Sequence, residues 1–290
     1  VAFPILLGKK EKITALIEEF SLELPDSIII DPKCEEEKER RVNYGQVFFD
    51  KRKRKGITEF QAIQIMRERN HFGAMMVEMG DADAMVSGIT RNYRDVVRPA
   101  LQIVGLQKEM TKIAGMYILN TKRGPLFLAD TTINLNPTAK DLAEITSNVA
   151  KMIRKFKVTP RVALLSYSNF GSSIGEDATK MSKAVELIKE NDPNLIVDGE
   201  VQANFALNND LMNEQFSFSD LANKKVNTLI FPNLSSGNIA YKLLQEMTEG
   251  DAIGPVIVGL KKSIHVLQLG ASVREIINMV KIAVVDAQNK

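Results

Sequence analysis

Short apolar segments alternate with amphipathic stretches along the whole chain. This alternation is typical of α/β proteins in which βαβ units build mostly parallel sheets. Several apolar segments end in Gly, Ser, Asp or Asn, where ligand-facing loops begin at the carboxyl edge of such sheets. The pattern predicts strands at Ala2–Leu7, Ser27–Ile30, Ala82–Ser87, Leu126–Leu128, Val162–Ser166, Leu195–Asp198, Thr228–Phe231 and Val256–Val258.

Three helices are indicated by an N-cap residue followed by apolar residues at helical spacing. The predicted N-caps are Thr58, Thr138 and Ser272, and the last of these helices closes the chain. The stretch from Cys34 to Lys55 is dense in charge, and we interpret most of it as a solvated helix and loop.

Composition narrows the class of protein. The chain has 290 residues, 44% of them hydrophobic, and a formal net charge of +2, which gives no support to nucleic-acid binding. No apolar segment approaches the length of a membrane span. The chain has one cysteine and two histidines, His71 and His265, so no cluster resembles a metal site. We therefore expect a cytoplasmic chain with no metal, nucleic-acid partner or membrane partner.

Five sequence blocks occur in an order that resembles the phosphate acetyl/butyryltransferase (phosphotransacetylase) family. The blocks are KRKRKGIT (Lys51–Thr58), GDADAMVSG-x6-DVVRPALQIVG (Gly80–Gly105), LSYSNFGSS (Leu165–Ser173), DGEVQ (Asp198–Gln202) with FPNLSSGNIAYKL (Phe231–Leu243), and PVIVGLKKSIHVLQLGASVRE (Pro255–Glu275). The resemblance implies two α/β/α domains with mostly parallel sheets and an interdomain cleft, as in isocitrate and isopropylmalate dehydrogenases. It places residues 1–110 plus 255–290 in domain I and residues 111–254 in domain II.

The resemblance assigns phosphate and CoA binding to two arginines, Arg52 in the first block and Arg98 in the second. A planar guanidinium suits phosphate oxygens because it donates two parallel, charge-assisted hydrogen bonds. Without the resemblance, the simpler interpretation is a surface arginine at position 52 and a charge near a helix N-terminus at position 98.

The third block predicts a small-residue loop between a strand and a helix. Small residues there allow backbone N–H groups and hydroxyls to approach an anion at the helix N-terminus. The loop residues predicted to contact acetyl-CoA or phosphate are Ser166, Ser168, Gly171 and Ser172. An ordinary serine-capped turn is the alternative. Asn233 and Gly237 are predicted at the same site, although Asn233 stands where the family more often has Asp, and Gly237 has a mainly structural interpretation.

The last block departs from the family at the residues that carry its chemistry. By resemblance, the transferases use a Ser-Arg pair, and those positions hold Gln268 and Leu269, while Glu275 stands where Asp is common. Acetyl transfer requires stabilisation of a tetrahedral oxyanion, and the loss of one such donor typically costs about a hundred- to a thousand-fold in rate. His265 is a possible substitute base, although a lone histidine is more often structural.

The final block and its helix resemble one branch of the family, the phosphotransacetylase-like C-terminal domain of bacterial NADP-dependent malic enzymes. The resemblance implies a homo-oligomer that senses acetyl-CoA, with NADP and a divalent metal bound in an upstream malic enzyme domain. The opening VAFPILLG favours a piece of a longer polypeptide. Three hypotheses remain open: an inactive acetyl-CoA-sensing domain, an active phosphate acetyltransferase, and a purely structural oligomerisation module.

Overall fold

The computed structural model describes residues 2–24, 27–108, 110–247 and 252–289. The strands of these residues are β1 (Ile5–Leu7), β2 (Ile28–Ile30), β3 (Ala84–Ser87), β4 (Ala114–Thr121), β5 (Gly124–Ala129), β6 (Arg161–Leu165), β7 (Ile196–Val201), β8 (Thr228–Ile230), β9 (Ala252–Val258) and β10 (Ser263–Val266). The α-helices are α1 (Lys10–Glu19), α2 (Lys38–Arg52), α3 (Glu59–Ile65), α4 (Arg69–Met79), α5 (Tyr93–Ile103), α6 (Ala139–Lys155), α7 (Glu176–Asn191), α8 (Ala203–Leu207), α9 (Asn209–Gln215), α10 (Leu234–Met247) and α11 (Val273–Gln288).

The largest sheet has six strands in the order β7-β6-β8-β5-β4-β9. Neighbouring strands from β7 to β5 are parallel, whereas β4 runs antiparallel to both β5 and β9. Two further parallel pairs, β1 with β2 and β3 with β10, lie outside this sheet. The expectation of mostly parallel strands is confirmed.

Apolar residues on both faces bury the large sheet. On β6, Val162 and Leu164 face a core shared with α6, α7 and α11, whereas Ala163 and Leu165 face a core shared with α8, α9 and α10. Strands buried on both faces are expected to be continuously apolar, as RVALL is. The result is an α/β/α arrangement, which confirms the predicted fold class.

A third core belongs to the first part of the chain. It joins α2 to α5 and includes Ile264 and Val266 of β10. β10 pairs with β3 in a two-stranded sheet, and β9 pairs with β4 in the large sheet. The residues after 254 therefore contribute to both sheets. The division into 1–110 plus 255–290 and 111–254 stays a prediction.

The three predicted N-caps are confirmed as reciprocal capping boxes. The hydroxyls of Thr58, Thr138 and Ser272 each accept a hydrogen bond from the backbone N–H three residues later. The side chain of that later residue in turn accepts a hydrogen bond from the backbone N–H of the N-cap residue. Such boxes satisfy backbone donors that a helix end otherwise leaves unpaired.

Every predicted strand overlaps an observed strand, but two observed strands, β4 and β10, have no predicted counterpart. β4 contains a glycine and breaks the βα alternation because it is antiparallel to its neighbours. β10 has only four residues, and two of them, Ser263 and His265, are polar yet buried. β10 therefore lacks the continuous apolar pattern of a buried strand, whereas the apolar first part of β4 was a signal that the prediction missed.

Candidate functional site

Four loops meet at one edge of the large sheet because β5, β6, β7 and β8 are parallel and their carboxyl ends coincide. Ligands bind outside this edge in open α/β sheets. The predicted residues Ser166, Ser168, Gly171, Ser172, Asn233 and Gly237 all lie in loops or a helix start that follow β6 and β8. The topology therefore brings them to the same edge.

Glu200, at the end of β7, organises the serine loop after β6. Its Oε1 accepts hydrogen bonds from the Ser168 hydroxyl at 3.0 Å and from the Gly171 N–H at 2.7 Å. The Ser168 hydroxyl is fully buried and also accepts the Ser173 N–H at 3.0 Å. Ser168 therefore supports the loop, whereas Gly171 and Ser172 are exposed at its surface. Contact of these residues with a ligand stays a prediction.

A second buried carboxylate, Asp130, holds the loop after β5. Its two oxygens accept hydrogen bonds from the backbone N–H groups of Gly115, Thr132, Ile133 and Asn134 and from the Asn134 amide. These five donors compensate for burial of the negative charge. Sequence reasoning missed both Asp130 and the role of Glu200, although each of them lies shortly after a predicted strand.

Asn233 and Gly237 shape the start of α10. The Asn233 side-chain oxygen accepts the Ser236 N–H at 3.0 Å, and its amide nitrogen lies 3.5 Å from a carboxylate oxygen of Asp177. Gly237 packs so closely on the loop after β5 that an added Cβ would lie 2.5 Å from the Asp130 carbonyl oxygen. The structure thus gives Gly237 the packing role expected for it.

The carboxyl ends of β3 and β10 form a second edge. The Leu267 N–H donates to the Ser87 carbonyl at 2.8 Å, which extends this pair by one bond. Gly88 has φ 133° and approaches Leu267 so closely that an added Cβ would lie 2.3 Å from its carbonyl oxygen. Only glycine fits this position. The loop that leads to α5 is therefore held against the residue before Gln268.

Gln268 connects this second edge to the large sheet. Its amide donates a hydrogen bond to the hydroxyl of Tyr117 on β4. The Tyr117 ring stacks on Tyr241 of α10, with 3.7 Å between ring centroids. Burial, followed by the neighbouring Tyr241, raises the pKa of Tyr117, so this phenol is protonated at neutral pH. Neither tyrosine was identified from the sequence, because only tertiary contact reveals the pair.

Leu269 and Glu275 complete the altered segment. The Leu269 side chain is 66% exposed, and an apolar side chain there has no group that could stabilise charge. The Glu275 carboxylate accepts the N–H and the hydroxyl of Ser272, both at 2.7 Å, as part of the cap of α11. Glu275 therefore caps the N-terminus of α11.

Arg52 and Arg98 have different surroundings. Arg52 ends α2 and is half-buried, whereas Arg98 lies on the exposed side of α5. Neighbouring Lys51 joins the two helices, because its Nζ donates to the Ile103 carbonyl at 3.0 Å. Among the described residues neither arginine has a hydrogen bond or ion pair, so both guanidinium groups are available to an anion.

His265 occupies a fully buried, structural position. Its Nδ1 accepts the Ile257 N–H at 3.2 Å, and its Nε2 lies 3.3 Å from a carboxylate oxygen of Asp286 and 3.2 Å from the Ser263 hydroxyl. Both ring nitrogens are engaged inside the core, so the histidine has no access to a substrate. The structural interpretation of His265 fits this geometry better than a catalytic base.

The residues that the structure describes include no helix long and apolar enough to cross a bilayer. Within the same residues, no group of three or more His, Cys, Asp or Glu side chains is arranged to hold a metal ion.

Comparison with known proteins places the chain in a family. The family model described as phosphate acetyl/butaryl transferase matches residues 1–284. The NADP-dependent malic enzyme of Escherichia coli is 37% identical over 292 residues, which cover 100% of this chain and 38% of that protein. The phosphate acetyltransferase of Clostridium acetobutylicum is 35% identical, with 98% of this chain and 86% of that protein covered.

Solved structures agree with these relatives. A phosphotransacetylase from Streptococcus pyogenes superimposes with a TM-score of 0.90 at 33% identity, covering 99% of this chain and 87% of that one. The chain spans about 38% of the malic enzymes that it matches. On the residues matched and the fold that they form, the chain belongs to the phosphate acetyl/butaryl transferase family.

Proposed function

We propose that this chain binds acetyl-CoA without efficiently transferring the acetyl group, and that it acts as the regulatory C-terminal domain of an NADP-dependent malic enzyme. The observation that carries the proposal is the pair of residues after β10. Gln268 is bonded to Tyr117, and Leu269 presents an exposed apolar side chain where the family's transferases have arginine. Without an arginine at position 269, the tetrahedral oxyanion loses a charged donor that would stabilise it.

Retained anion-binding groups support ligand binding despite this loss. Arg52 and Arg98 have no partner among the described residues, and a guanidinium binds phosphate oxygens bidentately. The exposed Ser172 lies at the carboxyl edge of the large sheet, just before the N-terminus of α7, whereas the Gly171 N–H is already bonded to Glu200. The two arginines and the Ser172 hydroxyl would contact the phosphates of a CoA ester.

The regulatory part of the proposal concerns a longer protein. An upstream malic enzyme domain would bind NADP and a divalent metal and oxidise malate in the cytoplasm. Acetyl-CoA bound to this chain would then shift a conformational or assembly equilibrium of a homo-oligomer, which requires different affinities for the two states.

Two measurements on the same preparation test the proposal. Calorimetry with acetyl-CoA should give saturable binding, and a coupled assay for CoA release from acetyl-CoA plus phosphate should stay near background. The double variant Gln268→Ser/Leu269→Arg, which introduces the transferase pair, should increase CoA release. Absence of any acetyl-CoA binding would overturn the proposal.

An active phosphate acetyltransferase is the second candidate, because the similarity extends over 86% of the clostridial phosphate acetyltransferase. Phosphate-dependent CoA release by the unaltered chain, abolished by Arg98→Ala, would establish this activity. Such a result would also require Gln268 or a neighbouring group to supply the missing donor.

A further inference from the structure

Tyr93 carries a buried hydroxyl that has no hydrogen-bond partner among the described residues. It is the first residue of α5, and it follows the loop that Gly88 holds against Leu267. An unpaired buried hydroxyl destabilises a folded protein because it gives up its bonds with water. Such a group in a folded structure points to an absent ligand or water.

The groups near this hydroxyl are already satisfied. Burial raises the pKa of Tyr93, and the charge of Asp130 raises it further, so the phenol stays protonated. Asp130 already accepts five hydrogen bonds, and Tyr117, whose pKa is raised in part by Tyr93, already accepts the Gln268 amide. The Tyr93 O–H is thus a donor without an acceptor among the described residues, whereas Asp130 and Tyr117 already have hydrogen-bond partners.

The surroundings of Tyr93 indicate which kind of acceptor its hydroxyl could bind. Tyr93 packs against the core that contains Val266 of β10, and it follows the loop held against Leu267. The next residue, Gln268, bonds to Tyr117, whose ring stacks on Tyr241. A small group with one acceptor oxygen and an apolar substituent suits a phenol donor beside aromatic rings. The acyl group of a thioester has this chemistry.

We propose that the Tyr93 hydroxyl donates a hydrogen bond to the acyl carbonyl of a bound CoA thioester and so distinguishes acyl-CoA from free CoA. This inference rests on the proposed binding of acetyl-CoA. It concerns recognition of the ligand and requires no chemical step.

The test compares acetyl-CoA with free CoA on unaltered protein and on Tyr93→Phe, by calorimetry. One lost hydrogen bond between neutral groups should weaken acetyl-CoA binding by about 2- to 10-fold and leave CoA binding unchanged. Tyr44→Phe is the matched control, because Tyr44 is also a buried tyrosine but its hydroxyl bonds to Asp81, away from this site. It should leave the ratio of the two affinities unchanged.

The outcomes are distinguishable. If the unaltered protein binds neither acetyl-CoA nor CoA, the proposed function fails. If it binds acetyl-CoA but Tyr93→Phe keeps the same ratio of affinities, only the role of Tyr93 is overturned. A lower melting temperature of ligand-free Tyr93→Phe would also contradict the inference, because removal of an unpaired hydroxyl should not destabilise the protein.

Discussion

Asp286→Ala should strongly destabilise the protein, because Asp286 anchors the C-terminal helix inside the core. The Asp286 side chain is 4% exposed, and one oxygen lies 2.7 Å from the Lys155 Nζ while the other lies 3.3 Å from the His265 Nε2. Removal of one partner of a buried ion pair typically costs about 3–5 kcal/mol. Because Lys155 keeps 17% of its side chain in contact with water, we expect the lower end, about 3 kcal/mol.

Urea and thermal unfolding, followed by circular dichroism at neutral pH, measure this loss. For a chain of 290 residues, about 3 kcal/mol corresponds to a melting temperature lower by about 5 °C. Asp192→Ala is the matched control, because Asp192 pairs with Arg154, the neighbour of Lys155 on α6, at 3.1 Å. That pair is 43% and 31% exposed, so its loss should cost at most about 1 kcal/mol.

The comparison can refute the reasoning. If Asp286→Ala and Asp192→Ala reduce the free energy of unfolding equally, the buried cluster does not anchor α11. The interpretation of His265 as a structural residue would then lose its main support, and its reactivity would have to be measured directly.

Three further substitutions have defined outcomes. Gly237→Ala should destabilise the protein by about 1–3 kcal/mol in urea unfolding, because its Cβ would lie 2.5 Å from a backbone oxygen of Asp130; unchanged stability would contradict the close packing. Although burial opposes it, the hydrogen bond from Lys112 lowers the pKa of Asp141 below its ordinary 3.8. The ionised Asp141 therefore stabilises the folded protein above pH 3.8, and this stabilisation is lost as pH falls through the lower pKa of the folded state. The difference in free energy of unfolding between the unaltered protein and Asp141→Asn should therefore become smaller in acid. A difference that does not change with pH would contradict this reasoning. Arg98→Ala should weaken acetyl-CoA binding about tenfold or more in calorimetry, as expected for a lost charge-assisted contact, and unchanged affinity would remove Arg98 from the site.

Features set by neighbouring residues were predictable from the sequence. The three helix starts at Thr58, Thr138 and Ser272 follow from capping chemistry that acts within four residues. The parallel strands were recognisable because burial on both faces requires continuous apolar segments. The location of the serine loop at a carboxyl edge follows from the same alternation.

The departures at Gln268 and Leu269 were also visible in the sequence, but their environment was not. That Gln268 bonds to Tyr117 requires two residues 151 positions apart to meet, and no local pattern specifies such a contact. Ser168 is a second case. The sequence predicts that its hydroxyl contacts a ligand, whereas in the structure it donates to Glu200, which lies 32 positions away.

By itself, the amino-acid sequence determined the α/β class and the helix starts, because propensity, capping and periodicity act over a few residues. The anion-binding residues stay a prediction that the family resemblance implies. Tertiary structure decided the antiparallel insertion of β4 and the burial of His265 beside Asp286. It also buried the Tyr93 hydroxyl without a hydrogen-bond partner among the described residues. Each of these depends on which distant segments exclude water from one another, and that is fixed only when the whole chain packs.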